Sequence, residues 1–177
     1  MSHVFLIGFM GSGKSTVGRL VAERLGLPFV DIDETIERTT RRTISQLFAD
    51  SGETAFRAME RRAIQEVAAG PDAVVSCGGG AVLDLWNRRT MKDAGTVVYL
   101  QVGSDEALDR IGDYASRPLL REAEDPRAAA AALLAEREPV YASAADVTVD
   151  TRHQSPDGVT AAVLAALAMH AGAGVRP

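Results

Sequence analysis

The residues best suited to chemistry lie near the amino end, in the run Gly8-Phe9-Met10-Gly11-Ser12-Gly13-Lys14-Ser15. It fits the spacing G-x-x-x-x-G-K-[ST], and residues of these types in this order suit one task. Glycines let the main chain curl until successive N–H groups point inward at phosphate oxygens. A helix that starts where the curl ends aims its positive pole at the same place. Lys14 would neutralise the β- and γ-phosphates of a nucleotide, and the Ser15 hydroxyl would ligate Mg²⁺. A glycine-rich turn with no ligand is the bland alternative. It leaves unexplained the apolar strand before the run and the amphipathic helix after it. The motif points to a nucleotide and leaves the reaction open.

Two carboxylates come next, Asp31 and Asp33, at the end of the segment Phe29-Val30-Asp31-Ile32-Asp33. If that segment is a strand throughout, side chains two apart share a face and both acids lean toward the phosphate site. Ligands in open α/β sheets bind at that edge. Asp33 could equally cap the helix that begins at Glu34. The later strand Ala73–Cys77 ends in Ser76-Cys77-Gly78 and supplies no carboxylate of its own.

The elements that must hold these residues follow from periodicity. Val4-Phe5-Leu6-Ile7 is a short continuous apolar run, as for a strand buried on both faces. Lys14 to Leu25 carries apolar residues at helical spacing, and Gly26 and Pro28 stop it. Strand, helix, strand at this length is a βαβ unit and implies a parallel sheet. Helices are expected over residues 34–40, 43–49 and 51–69, the last with Ser51 as N-cap. Further strands are expected at Ala73–Cys77, 96–100 and Asp146–Asp150. Helices 84–93, 104–111, 126–138 (stopped by Pro139) and one from Ser155-Pro156 to Met169 complete the set. Residues 112–127 are charged, lack apolar periodicity and suit a mobile lid; residues 171–177 suit a frayed tail. The whole is one α/β domain over residues 1–177, a five-stranded parallel sheet with helices on both faces.

Composition narrows the function classes. The chain has 177 residues, 46% apolar and 24% charged, enough for one core without disulfides or structural metals. Cys77 is the single cysteine, so no internal bridge is possible. The net charge of −5 argues against a general nucleic-acid binder. No run has the length of a membrane span and no secretory pattern opens the chain, so a cytoplasmic protein is expected; nothing suggests a self-complementary patch, so a monomer is expected. Arginine outnumbers lysine 17 to 2, and one of the two lysines is Lys14.

The chain resembles the shikimate kinase family from Val4 to about Ala168. Five features carry the resemblance: the loop Gly8–Thr16; Asp31-Ile32-Asp33; Phe56-Arg57 with Glu60 and Ile64; Ser76-Cys77-Gly78-Gly79-Gly80-Ala81-Val82; and Arg117-Pro118-Leu119-Leu120 followed by Arg137, Pro139 and Tyr141. The first is shared with many nucleotide hydrolases. The triple glycine after an apolar strand, together with Phe56-Arg57, is far more specific.

The resemblance implies a P-loop NTPase three-layer sandwich of the nucleoside-monophosphate-kinase type. It also implies transfer of the γ-phosphoryl of ATP to shikimate, with Mg²⁺. Gly11, Ser12, Gly13, Lys14, Ser15 and Thr16 would hold ATP. Asp33 would take a shikimate hydroxyl beside the transferring phosphoryl, and Asp31 would hold Mg²⁺ through water with Ser15. Arg57 and Arg137 would grip the shikimate carboxylate, a task that suits the planar guanidinium fork. Gly79 and its neighbours would bring main-chain N–H groups close to the substrate. Arg117 would fold over ATP from the lid, and Gln154 would meet the adenine, a job that Arg152 and His153 could share; Arg110 could add charge at the lid base. Without the resemblance, Arg57 is an ordinary helix arginine paired with Glu53 or Glu60, or Glu60 holds it in its working rotamer. A gluconate kinase of the same fold, a nucleoside monophosphate kinase and a nucleotide-dependent switch are the competing classes. The first should lack the Arg57, triple-glycine and Arg137 combination; the second lacks a clear site for a second base; the third gives Asp33, Arg57 and Arg137 no reason to converge.

Overall fold

The computed structural model describes residues 2–112 and 123–173. Five strands form one sheet: β1 (His3–Ile7), β2 (Phe29–Asp31), β3 (Val74–Ser76), β4 (Gly95–Gln101) and β5 (Val147–Asp150). The order across the sheet is β2-β3-β1-β4-β5, and every pairing is parallel. The helices are α1 (Lys14–Leu25), α2 (Ile32–Thr40), α3 (Ile44–Ala68), α4 (Leu85–Ala94), α5 (Ser104–Ile111), α6 (Pro126–Ala144) and α7 (Pro156–Ala173), with a short 3₁₀ turn at Ala81–Leu83.

The continuous apolar strands have the cause their pattern implies. Along β1, Phe5 and Ile7 join one core with Ile32, Phe56, Ile64, Met91, Leu108 and Tyr141. Val4 and Leu6 join a second core with Val17, Val21, Val159 and Val163. Successive side chains point to opposite faces, and both faces are covered. Helices α1 and α7 cover one face, and α2–α6 lie on the other. This is the expected three-layer α/β sandwich.

Three expected boundaries moved. β2 stops at Asp31 instead of Asp33, because the Asp31 carboxylate turns to accept from the Asp33 and Glu34 N–H groups and starts α2 at once. Asp33 therefore sits in a helix, and the expectation of two acids side by side on a strand fails. The expected break between helices 43–49 and 51–69 falls at Gly52: two helices follow one another within Ile44–Ala68, the first opened by a Thr43–Gln46 capping box. At Gly52 φ is 76° and ψ is 169°, a conformation that glycine alone adopts readily. Third, α6 does not stop at Pro139 but runs on to Ala144. Proline inside a helix costs about 3 kcal/mol, yet Leu134, Arg137, Tyr141 and Ala144 are all buried on one side of α6. That burial outweighs the lost hydrogen bond.

At the carboxyl end, helix α7 continues four residues beyond Met169 to Ala173, into the stretch expected to fray, while 174–177 lie outside the described residues. So does most of the expected lid, residues 113–122, including Arg117, Pro118, Leu119 and Leu120. No helix among the described residues is long and apolar enough to cross a membrane.

Candidate active site

The strand order assembles the site. β1 lies between β3 and β4, and β2 pairs with β3, so the segments leaving β1, β2 and β3 emerge side by side. In register, Ser76 stands opposite both Leu6 and Asp31. The glycine loop, the first aspartate and the triple glycine are therefore level at the carboxyl edge of the sheet, where α/β folds bind ligands. A cleft of about 750 Å³ opens there. It is lined by Gly11 to Thr16, Asp31, Asp33, Ser76, Gly78, Gly79, Arg110 and Gln154, among others.

The loop Gly8–Gly13 wraps the head of α1. Gly11 has φ 72°, and its α-carbon faces the Ala107 carbonyl so closely that any side chain would collide with it. The loop thus leans on α5, which sets the rim of the cleft. Lys14 crosses the loop, and its Nζ donates to the Gly8 and Phe9 carbonyls at 2.9 Å each. Its ammonium lies at the mouth of the curl, as charge neutralisation of a bound phosphate requires. Ser15 Oγ donates to Asp31 Oδ2 at 2.7 Å and lies 3.4 Å from Ser76 Oγ. This is a set of small oxygen ligands of the kind a hard divalent cation prefers.

A second group of side chains lies around the triple glycine. Asp33 reaches it from α2, and Arg57 and Glu60 from α3. A β-carbon on Gly78 would stand 2.5 Å from Glu60 Oε1 and 3.1 Å from Asp33 Oδ1. A β-carbon on Gly80 would run into the Arg57 guanidinium. At Gly79, by contrast, the nearest atoms would be 3.6 to 3.8 Å away. The outer two glycines are thus required by the carboxylates and the guanidinium packed on them. Room for a ligand's close approach is left at the middle one, the glycine named from sequence. Among the described residues, the N–H groups of Gly78, Gly79 and Gly80 donate to no other group.

Arg57 makes both of the ion pairs that its helical spacing offers. Its Nη1 donates to Glu60 Oε2 at 2.8 Å, and its Nε and Nη2 reach Glu53 Oε1 at 3.3 and 3.1 Å. Yet its ring-like plane also lies against Gly80, so the ion pairs hold it at the site and do not draw it away. Glu60 is fully buried, and its Oε1 has no hydrogen-bond partner among the described residues. Burial pushes its carboxyl up from the ordinary 4.5 to about 6, against the pull of Arg57 and with added repulsion from Asp33 and Asp84. Arg137 is buried on α6, beside Tyr141. Burial also pushes the Tyr141 phenol up, opposed by both Arg137 and Arg57, so the two guanidiniums approach from separate helices. Neither arginine lines the cleft; Arg57 is packed on the turn at Gly80.

At the other end of the cleft, Gln154 lines the wall and its Nε2 donates to the Asp150 carbonyl at 2.6 Å. Arg152 turns away onto the Asp150 carboxylate, and the His153 N–H donates to Glu106. Arg110 is held by Glu106 at 2.6 Å and by the Thr151 carbonyl at 2.8 Å, and it lines the cleft beside Ile111 and Pro156. Its sequence signal was its position at the base of the expected lid. Ser76 and Tyr141 had no signal beyond lying within recognised motifs.

The shikimate kinase family model matches residues 10–168. The chain belongs to the shikimate kinase family. A shikimate kinase of Mesorhizobium japonicum is 43% identical over 169 residues, 96% of this chain and 82% of that relative. One of Thermobifida fusca is 47% identical over 154 residues, 86% of this chain and 87% of that relative. Among solved structures, the shikimate kinase of Acinetobacter baumannii in complex with shikimate superposes with a TM-score of 0.91 at 36% identity, covering 96% of this chain and 94% of that one. In this member of a family of ATP-dependent kinases, the glycine loop, Asp33, Gly78 and Gly79 line one cleft, and Gly79 lies directly beside the loop at Gly8 and Met10.

Proposed function

We propose that the cleft holds ATP along the Gly11–Thr16 loop, with shikimate seated beyond it against Asp33, Arg57, Gly79 and Arg137. The reaction is that of a shikimate kinase: the γ-phosphoryl of ATP passes to the 3-hydroxyl of shikimate, giving shikimate 3-phosphate and ADP, a step in chorismate and aromatic amino-acid synthesis. The observation that carries this assignment of residues is the triple-glycine turn: Gly79 lies beside the phosphate loop, the Asp33 carboxylate is packed on Gly78, the Arg57 guanidinium on Gly80, and Arg137 is near the Tyr141 that bonds Gly79.

In this arrangement the acceptor's carboxylate is matched by Arg57 and Arg137. Asp33 orients the hydroxyl and takes its proton as the new O–P bond forms and the bond to the β-phosphate oxygen breaks. Lys14 and the loop N–H groups meet the charge that grows on the phosphoryl oxygens, which is where most of the catalysis of phosphoryl transfer lies. Arg117, outside the described residues, is assigned to cover ATP from the lid, and Gln154 to meet the adenine. Ser15 and Asp31 fit Mg²⁺, with Asp31 acting through water. Among the described residues no cluster of three or more acidic, histidine or cysteine side chains could hold a metal alone, and Mg²⁺ commonly takes one or two protein oxygens with water and phosphate. When bound, the ion supplies charge neutralisation on the phosphates. The reading takes the protein as a cytoplasmic monomer that binds neither nucleic acid nor membrane.

The test is a coupled ADP-release assay with shikimate, gluconate and AMP as separate acceptors. Turnover with shikimate alone is expected. Turnover with gluconate or AMP in its place refutes the acceptor assignment, and slow ADP release indifferent to all three points to a nucleotide switch.

A further inference from the structure

We propose that Tyr141 is a positioning residue for the acceptor site, one that aims the Gly80 N–H at the acceptor by holding the Gly79 carbonyl. The inference rests on the acceptor-site reading above and adds a residue to it.

Tyr141 is fully buried, and its hydroxyl donates to the Gly79 carbonyl oxygen at 2.5 Å. Its ring stacks on Tyr99 with centroids 5.2 Å apart and planes 21° from parallel. Buried and stacked, the phenol cannot follow the turn if the turn moves; it fixes the carbonyl in space. The carbonyl of Gly79 and the N–H of Gly80 belong to one planar trans peptide unit, so they point in opposite directions. Holding one oxygen toward the core at Tyr141 therefore turns the Gly80 N–H away from the core, toward the side where Gly79 lines the cleft. That N–H has no partner among the described residues. A turn of three glycines has no side chains to resist rotation of this peptide, so an external tether is what selects its orientation.

The tether also connects the two halves of the acceptor site. Because α6 continues through Pro139, Tyr141 falls four residues after Arg137 on the same buried side of the helix. The Arg137 guanidinium lies close enough to the same phenol to oppose the upward push of burial on it. The helix turn that carries Arg137 is thus tied to the glycine turn after β3 through the Tyr141 hydroxyl. The rest of the turn is braced separately: Ala81 N–H donates to the Gly78 carbonyl at 3.0 Å, and Asn87 Nδ2 donates to the Ala81 carbonyl at 2.9 Å. Those bonds hold the start and end of the turn and leave the Gly79–Gly80 peptide to Tyr141.

The experiment compares the whole chain with Tyr141→Phe and Tyr99→Phe, reading KM for each substrate, kcat and Tm. Tyr99 is the matched control: it is buried in the same stack, and its hydroxyl has no partner among the described residues. For Tyr141→Phe the expected result is a KM for shikimate raised about tenfold, the effect of one hydrogen bond of ordinary strength. KM for ATP stays within about twofold, and Tyr99→Phe leaves both KM values within about twofold. An unchanged shikimate KM in Tyr141→Phe overturns the proposal. So does an equal loss in Tyr99→Phe, or an insoluble Tyr141→Phe protein, since either makes the hydroxyl a matter of packing or folding. A wild-type chain that does not turn over shikimate overturns the acceptor reading as well; wild-type turnover with an unaffected Tyr141→Phe overturns only the role of Tyr141.

Discussion

Glu60→Gln removes a charge from the interior and keeps the shape. The wild-type carboxyl is fully buried, gives one oxygen to Arg57 and leaves the other without a partner among the described residues. Burial raises it from 4.5 in the ordinary state to about 6 in the folded protein. Between those two values the unfolded chain has released the proton and the folded chain still holds it, so folding binds a proton there. Stability then falls as pH rises. The contribution is complete below about pH 4.5 and lost once pH passes about 6. At 1.36 kcal/mol per unit, the shift is worth about 2 kcal/mol across that window. Glutamine has no proton to bind, so the stability of wild type minus that of Glu60→Gln decreases by about 2 kcal/mol on going from about pH 4 to about pH 7.5. Taking the difference cancels groups that titrate alike in both proteins. Urea unfolding of both proteins at five or six pH values measures it. A difference that is flat, or that grows with pH, refutes the argument, because it would mean that the Arg57 ion pair balances or outweighs burial.

The remaining predictions concern the two sides of the cleft. Gly78→Ala places a methyl 2.5 Å from Glu60 Oε1 and 3.1 Å from Asp33 Oδ1; it costs about 1–3 kcal/mol of stability by overpacking and lowers kcat with little change in ATP affinity, as unfolding and ATP-binding titrations will read. Arg57→Ala weakens shikimate binding by about 1.5–3 kcal/mol, the range for a charged hydrogen bond, read as a rise in KM; unchanged KM and kcat for shikimate would remove Arg57 from the carboxylate clamp. Asp33→Asn lowers kcat more than it changes ATP affinity, and equal losses in both count against its acceptor role. Asp31→Asn keeps the helix cap, since asparagine caps as well as aspartate, but raises the Mg²⁺ concentration needed for half-maximal rate by roughly 10–100-fold.

Much of this protein was legible in local sequence. The strand Val4–Ile7, the loop Gly8–Gly13 and the helix Lys14–Leu25 form a contiguous unit whose chemistry and shape are set by neighbours in the chain, and the structure follows it closely. The triple glycine was visible as a place of close approach for the same reason. One error is local and one is not. The end of β2 depends on Asp31 choosing between strand and cap, two conformations that its neighbours in the chain permit alike. Passage of α6 through Pro139 depends on burial against the far side of the sheet, which no window around a proline reveals.

What the sequence determines by itself, then, is the inventory: a phosphate cradle, a fork of arginines, an aspartate and a glycine turn, each encoded by short-range steric and hydrogen-bonding preferences. What only the tertiary structure decides is direction and partnership. The order β2-β3-β1 brings three strand ends level, the interior withholds water from Glu60 and so raises its carboxyl, and a buried tyrosine 62 positions along the chain selects which way a glycine peptide faces. These depend on packing between segments far apart in sequence, where the free energy of burial overrides any local preference.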